Sequence, residues 1–279
     1  MECKLLYKRV NLKPPRRQVN CLAGIMHALH QFLLFHVLTC LGQNAHGSVI
    51  IHGKKVPENS MLYMASVQNS AKKHVCGGFL INENFVLTAA HCDEEVPTSV
   101  VLGTHDLTKA DDSMRYSITK FKYPLYQDVP YGNDLMLLKL SRNVGLNDRV
   151  QTIPLPKDEI NMMENVECSV AGWGYTETNK LEQRIVDELR VVDVSIINQD
   201  VCKKIWGGLP DNVICAGGYE TKKGFCQGDS GGPLVYDGVA VGVVSFNHNR
   251  NCSYPHFPNV YMDISKYLGW INDTLKKKE

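Results

Sequence analysis

No Cys-x-x-Cys pair occurs in the 279-residue chain, although it has ten cysteines, so neither a zinc ribbon nor a thioredoxin-type redox site is expected. Heptads, helical repeats, internal repeats and low-complexity tracts are also missing, which sets aside coiled coils and solenoids. A membrane-length hydrophobic run is absent. The apolar stretch Phe32–Leu41 is too short, and too interrupted upstream by His27, His30 and Gln31, for stable membrane insertion. A basic excess is absent as well. Residues 1–49 hold six of the 30 Lys/Arg and one of the 29 Asp/Glu, which leaves 24 basic and 28 acidic side chains in residues 50–279. Such a surface does not point to nucleic acid. No metal-ligand spacing stands out among the ten histidines, so no metal and no cofactor is expected. The acidic run Asp93-Glu94-Glu95 reads as a solvated face.

What is present begins with the N-terminus. Residues 1–20 are basic and the Phe32–Leu41 run follows, the pattern of a signal-peptide core. Ala45-His46-Gly47 puts small residues where signal peptidase reads, so cleavage is expected after Gly47, with Gly42 and Ala45 as rival sites. Translation from Met26 would give an ordinary signal over 26–47, with residues 1–25 as an extension and Ser48-Val49 as a two-residue propeptide. Spread single cysteines then fit disulfides in an oxidising compartment.

From residue 50 onward the chain is short β-branched runs separated by turns, such as Phe85–Thr88, Leu135–Leu140, Val166–Val170 and Gly238–Val244. This spacing predicts an all-β barrel or sandwich. Helix is expected only at the end, where Ile264, Tyr267, Leu268, Ile271 and Leu275 recur at helical spacing behind Asp263 as N-cap. The stretch 151–163, with Pro154 and Pro156, reads as the connection between two β units.

The chemistry concentrates in Cys226-Gln-Gly-Asp-Ser-Gly-Gly-Pro-Leu234. Glycines at 228, 231 and 232 let the backbone take angles closed to other residues, turn N–H groups toward one point and push the Ser230 hydroxyl outward. A serine hydroxyl is a weak nucleophile and needs a base. His91 ends an apolar strand among small residues, and Asp134 stands at the entry to another. Each alone has a bland explanation. Together they offer nucleophile, base and orienting acid.

These motifs, with Cys76-Gly77-Gly78, Thr88-Ala89-Ala90-His91-Cys92, Asn133-Asp134-Leu135 and Ala171-Gly172-Trp173-Gly174, resemble the chymotrypsin-like (trypsin-fold) serine proteases, closest in flavour to the granzyme and mast-cell-protease branch. The resemblance implies two six-stranded antiparallel β-barrels, over about 50–155 and 156–262, and a C-terminal α-helix over about 263–276. It implies a secreted or granule-stored endopeptidase in which Ser230 attacks, His91 moves the proton, Asp134 orients His91, and the N–H groups of Gly228 and Ser230 bind the oxyanion. The alternative is a catalytically silent homologue that only binds. Ile50-Ile51-His52-Gly53 resembles the family's mature N-terminus, whose freed Ile50 ammonium would pair with Asp229. Val49 stands where this branch often has Glu; a dipeptidyl peptidase would suit the two-residue propeptide. The implied disulfides are Cys76–Cys92, Cys202–Cys215 and Cys226–Cys252. Cys168 loses its expected partner, because Tyr236 stands there.

Partners implied are peptide or protein substrates and serpin-type inhibitors. Ser245 corresponds to a serine that supports the buried aspartate, and Ser245, Phe246 and Asn247 to the strand that pairs with substrate. The pocket floor falls at Gly224, followed by Phe225, with Asn247 on the wall and Asn259 near the base. With no acid there and two asparagines shortening the pocket, uncharged small-to-medium residues are expected before the cut, with aromatic residues as the runner-up. Asn251 and Asn272 begin glycosylation sequons.

Overall fold

The protein is described by a computed structural model over residues 50–176 and 184–278. The extension, signal segment and propeptide expected over 1–49 lie outside the described residues. Among the described residues, no helix is long and apolar enough to cross a membrane.

A two-residue strand, β1 (Lys54–Lys55), precedes six strands that close on themselves: β2 (Met64–Asn69), β3 (His74–Asn82), β4 (Phe85–Thr88), β5 (Pro97–Val101), β6 (Arg115–Lys122) and β7 (Met136–Leu140). Their antiparallel order is β2-β3-β4-β7-β6-β5. The β3–β4 turn forms because Asn82 caps it locally, its side-chain oxygen accepting from the N–H of Asn84 (3.0 Å) and of Phe85 (2.8 Å). Inside, Phe79, Phe85, Leu87, Leu135 and Leu137 are wholly excluded from water. Each such side chain contributes roughly 1.5–3 kcal/mol by burial.

The second unit has β8 (Glu167–Gly172), β9 (Arg190–Ser195), β10 (Val213–Cys215), β11 (Pro233–Tyr236), β12 (Val239–Phe246) and β13 (Val260–Asp263), in the order β1-β9-β8-β11-β12-β13-β10. The continuation of β9 returns to β10: Ile196 bridges Ala216, and the Ile197 N–H donates to Cys215 at 2.8 Å. That bridge joins the two ends of the six-strand array, while β1 is an extra strand on β9. Ile51 bridges Gly224 and Lys54 pairs with Val191, so the first residues of the expected N-terminal barrel pair with the second one instead. The β11–β12 hairpin turns on Asp237 and Gly238, both at positive φ (47° and 74°), as a two-residue turn with right-handed strands requires.

Two differences from expectation concern helices. Helix α1 (Gln199–Trp206) was not foreseen. Asn198 caps it by accepting from the Asp200 and Val201 N–H groups, and Gly207 ends it at φ +72°. Those signals sit in the sequence, but eight residues hold too few apolar repeats to announce a helix. At the C-terminus Asp263 is the cap, but it opens a 3-10 turn (Ile264–Tyr267), and the α-helix proper, α2, spans Leu268–Lys278.

Candidate active site

Segments far apart in sequence meet at a cavity of about 370 Å³ lined by His91, Ser230 and Ser245 among others. The strand register explains the meeting. Thr88 at the end of β4 pairs with Met136 at the start of β7, so the residues just after Thr88 and just before Met136 emerge at one end of the barrel. His91 follows in the 3-10 turn Ala90–Glu95, which the Cys76–Cys92 disulfide ties to β3. Asp134 enters β7 and is fully buried.

The buried carboxylate has three donors, which is how a buried charge is tolerated. Asp134 Oδ2 receives His91 Nδ1 at 2.7 Å and the Ser245 hydroxyl at 2.5 Å, and Oδ1 receives the His91 backbone N–H at 2.8 Å. Burial disfavours charge on both partners, but their mutual attraction and hydrogen bonds outweigh it. His91 is held above the ordinary histidine value and Asp134 below the ordinary aspartate value. Glu94 adds to the rise at His91 and Arg250 opposes it. Because the ionised Asp134 accepts at Nδ1, the neutral ring carries its hydrogen there and leaves Nε2 as the basic nitrogen.

Ser230 stands three residues before β11, in the turn that carries Gly228 (φ +96°) and Gly231 (φ +81°). At Gly231 a Cβ would lie 2.1 Å from Thr88 Oγ1 and 2.6 Å from the Gly77 carbonyl, so only glycine lets this loop rest against the first barrel. The Gly77 N–H donates to the Ser230 carbonyl at 2.8 Å, and the N–H groups of Asp229, Gly231 and Gly232 each find a carbonyl. Among the described residues, the N–H groups of Gly228 and Ser230 have no protein acceptor. The turn therefore offers two unused donors beside the Ser230 hydroxyl.

Asp229 lies beneath this turn, fully buried. Its carboxylate accepts from the N–H of Gly174 (2.7 Å) and of Cys226 (2.8 Å). Burial dominates and pushes its pKa up to about 7, against those two hydrogen bonds. Ile50 is here an internal residue. Its side chain is wholly buried in a cluster with Val170, Val192 and Phe225, at φ +44°. That angle is rare for a β-branched residue.

The sequence reading missed His74. Its Nδ1 contacts the Ser66 hydroxyl at 2.8 Å and its Nε2 the Gly228 carbonyl at 2.9 Å, so it joins the Ser230 turn to the first barrel. Burial pulls its pKa down to about 4, which makes it a neutral donor. A histidine in an alternating strand gave no sign of this, because its partner lies 154 residues away.

Ser245, Phe246 and Asn247 line the cavity at the end of β12, past the last β11 pair, Pro233 with Val243. Phe225 packs its ring edge-on to Tyr261 at 5.2 Å rather than into open space. Gly224 and Asn259 lie together: Asn259 Oδ1 accepts the Phe225 N–H at 3.2 Å, and a Cβ on Gly224 would fall 2.3 Å from that oxygen. A second missed residue, Tyr254, sits against both. Within the run read as a solvated face, Asp93 pairs with Lys120 (2.6 Å) and Lys122 (2.8 Å), whereas Glu94 and Glu95 turn to the cavity. Cys76, His91 and Cys92 come within 4.8 Å of one another, but both sulfurs are joined in the disulfide and offer no thiolate to a metal. Cys202–Cys215 and Cys226–Cys252 are also formed, and Cys168 is buried and free.

Residues 50–271 match the Trypsin family. Duodenase-1 of Bos taurus is 36% identical over 250 residues, covering 88% of this chain and 96% of that protein. Mast cell protease 3 of Ovis aries is 38% identical over 233 residues, covering 82% and 90%. Among solved structures, neuropsin, a serine protease expressed in mouse brain, aligns with a TM-score of 0.72 at 29% identity, covering 80% of this chain and 98% of that one.

Proposed function

The chain belongs to the trypsin family and is a serine endopeptidase, and from that premise we propose the roles of its residues. Ser230 attacks the scissile carbonyl. His91 takes the hydroxyl proton and returns it to the leaving amine. Asp134, steadied by Ser245, holds the imidazole tautomer and stabilises the imidazolium. The unused N–H groups of Gly228 and Ser230 bind the oxyanion of the tetrahedral intermediate, and the acyl-enzyme is then hydrolysed by water. The observation that carries this reading is the His91–Asp134 pair, charge-matched and three-fold hydrogen-bonded, opening on the same cavity as Ser230. Residues 245–247 pair with substrate backbone as an added strand.

Release of Ile50 activates the enzyme. Its ammonium pairs with Asp229, which is buried and has no cationic partner among the described residues. Cleavage also removes the carbonyl that defines the unusual φ of Ile50. A dipeptidyl peptidase removing Ser48-Val49 is the proposed activator, and serpin-type proteins the proposed inhibitors. The three disulfides and the relatives named as mast cell and granzyme-like proteases support a secreted or granule-stored enzyme. The residue before the cut is uncharged and small to medium, because Gly224, Asn247 and Asn259 bring no charge to the pocket.

The test is a fluorophosphonate probe on chain beginning at Ile50, followed by peptide-library profiling. Labelling at Ser230, absent in Ser230→Ala and slow in the intact chain, is the expected result. An unlabelled Ser230 would favour a silent binding homologue, and cleavage after Lys or Arg would overturn the pocket assignment.

A further inference from the structure

Resting on the endopeptidase reading, one further side chain acts on specificity. The cavity beside His91 and Ser230 reaches Phe225, Cys226 and Asn247 and stops. Gly224 and Asn259, which should form its floor, are not in its wall. Tyr254 lies against Gly224 and Asn259 and reaches Asn247, which is in that wall. A Cβ built on Gly224 would meet the Tyr254 ring at 2.6 Å (Cε2) and 2.8 Å (Cζ), so the ring lies directly over the glycine. Its hydroxyl donates to the Phe225 carbonyl. It also accepts from Asn259 Nδ2 at 2.9 Å and from Asn247 Nδ2 at 3.5 Å. Thus the two asparagines expected to shorten the pocket both face the same phenol. The loop bearing Tyr254 is anchored two residues earlier by the Cys226–Cys252 disulfide.

We propose that Tyr254 is a specificity-determining residue: a built-in stopper that fills the deep end of the primary pocket and restricts the residue before the cut to small side chains. Size alone accounts for the restriction. A phenol ring and a substrate's benzyl ring cannot share the space over Gly224, while Ala or Val needs only the part of the cavity still open. Three polar partners at one hydroxyl favour a fixed ring over a swinging one, because leaving the Phe225 carbonyl and the two amides unmatched in a buried place is unfavourable. Removing the ring should leave a phenol-sized cavity whose rim bears a hydrogen-bond acceptor and two amide donors.

The experiment uses activated parent, Tyr254→Ala and Tyr254→Phe enzymes, with active sites counted by fluorophosphonate. Hydrolysis of matched peptides with Ala or Phe before the cut is compared. Binding of phenol is read separately by ligand-observed NMR. In the parent, Ala should be preferred over Phe. Tyr254→Ala should raise the Phe/Ala ratio of kcat/KM by a factor on the order of 10², the discrimination that pocket filling typically gives. Phenol should bind Tyr254→Ala, should not bind the parent or Tyr254→Phe, and should compete with the Phe peptide. Tyr254→Phe keeps the ring and should keep the parent's preference. An unchanged ratio in a labelled Tyr254→Ala enzyme would overturn the proposal, as would a parent that already accepts Phe as well as the variant does. If the parent is not labelled, the endopeptidase roles fail, but phenol binding still decides whether Tyr254 fills the pocket.

Discussion

Asp229 makes a quantitative demand on the uncleaved chain. Its carboxyl is fully buried, and burial pushes its pKa from an ordinary 3.8 up to about 7. A raised acid pKa means that the folded state binds the proton more tightly than the unfolded state. This contribution to stability is therefore complete below about pH 4 and is lost as pH rises through about 7. Three pKa units at about 1.4 kcal/mol each give a loss on the order of 4 kcal/mol across that window. The assay is urea unfolding of the intact chain from pH 4 to 8, on a Ser230→Ala background that prevents self-cleavage, with and without Asp229→Asn. The Asn variant should carry a constant penalty of roughly 1–3 kcal/mol, because its amide NH2 must face one of the two N–H donors. Relative to the variant, the parent should lose about 4 kcal/mol between the ends of the range. In the chain beginning at Ile50, the new ammonium should remove most of that loss. A gap between parent and variant that stays constant with pH would refute the burial argument. Identical profiles for cleaved and uncleaved chains would refute the Ile50–Asp229 pairing.

Other consequences are simpler to check. His74 is shifted the opposite way, down to about 4 by burial, so its contribution is present above about pH 6.5 and is lost as pH falls toward 4; His74→Gln should flatten that acid-side loss in the same unfolding series. Glu94 raises His91 and Arg250 lowers it, so the acid limb of kcat/KM should move to lower pH in Glu94→Gln and to higher pH in Arg250→Gln, read from pH–rate profiles. Gly231→Ala should abolish fluorophosphonate labelling, because its Cβ would collide with Thr88 and Gly77 at a positive φ. Burial pushes Cys168 up to about 12, so in the chain beginning at Ile50 Ellman's reagent at pH 8 should leave the native thiol intact and titrate one thiol promptly after denaturation without reductant.

The β character of the chain was legible because half-buried strands alternate and because Gly, Pro and Asn mark the turns. The β3–β4 turn at Asn82 and the Asp237-Gly238 hairpin are local events, settled by side chains within a few residues. Helix α1 escaped because its evidence is two caps around eight residues, too little periodic signal to outweigh its β-rich surroundings. The C-terminal helix was visible because five apolar residues repeat behind Asp263, though the sequence did not distinguish the 3-10 turn from the α-helix that follows.

By itself, the sequence determined which chemical groups this protein has and which loops hold them. Ser230 among glycines, His91 after an apolar strand and Asp134 before another are local patterns, since each group's environment is largely set by its immediate neighbours. Tertiary structure alone decided which groups meet. The pairing of Thr88 with Met136 brings base and acid to one barrel end, and the hydrogen bond from His74 to Gly228 spans 154 residues. The surroundings of the expected pocket residues were decided the same way. Gly224, Asn247 and Asn259 mark a pocket in the sequence, but only the fold lays the ring of Tyr254, from the same β12–β13 connection as the two asparagines, against all three. Burial decided the rest: Asp229 reads as an ordinary acid in the chain and becomes a group held near neutrality only because the fold removes water from it.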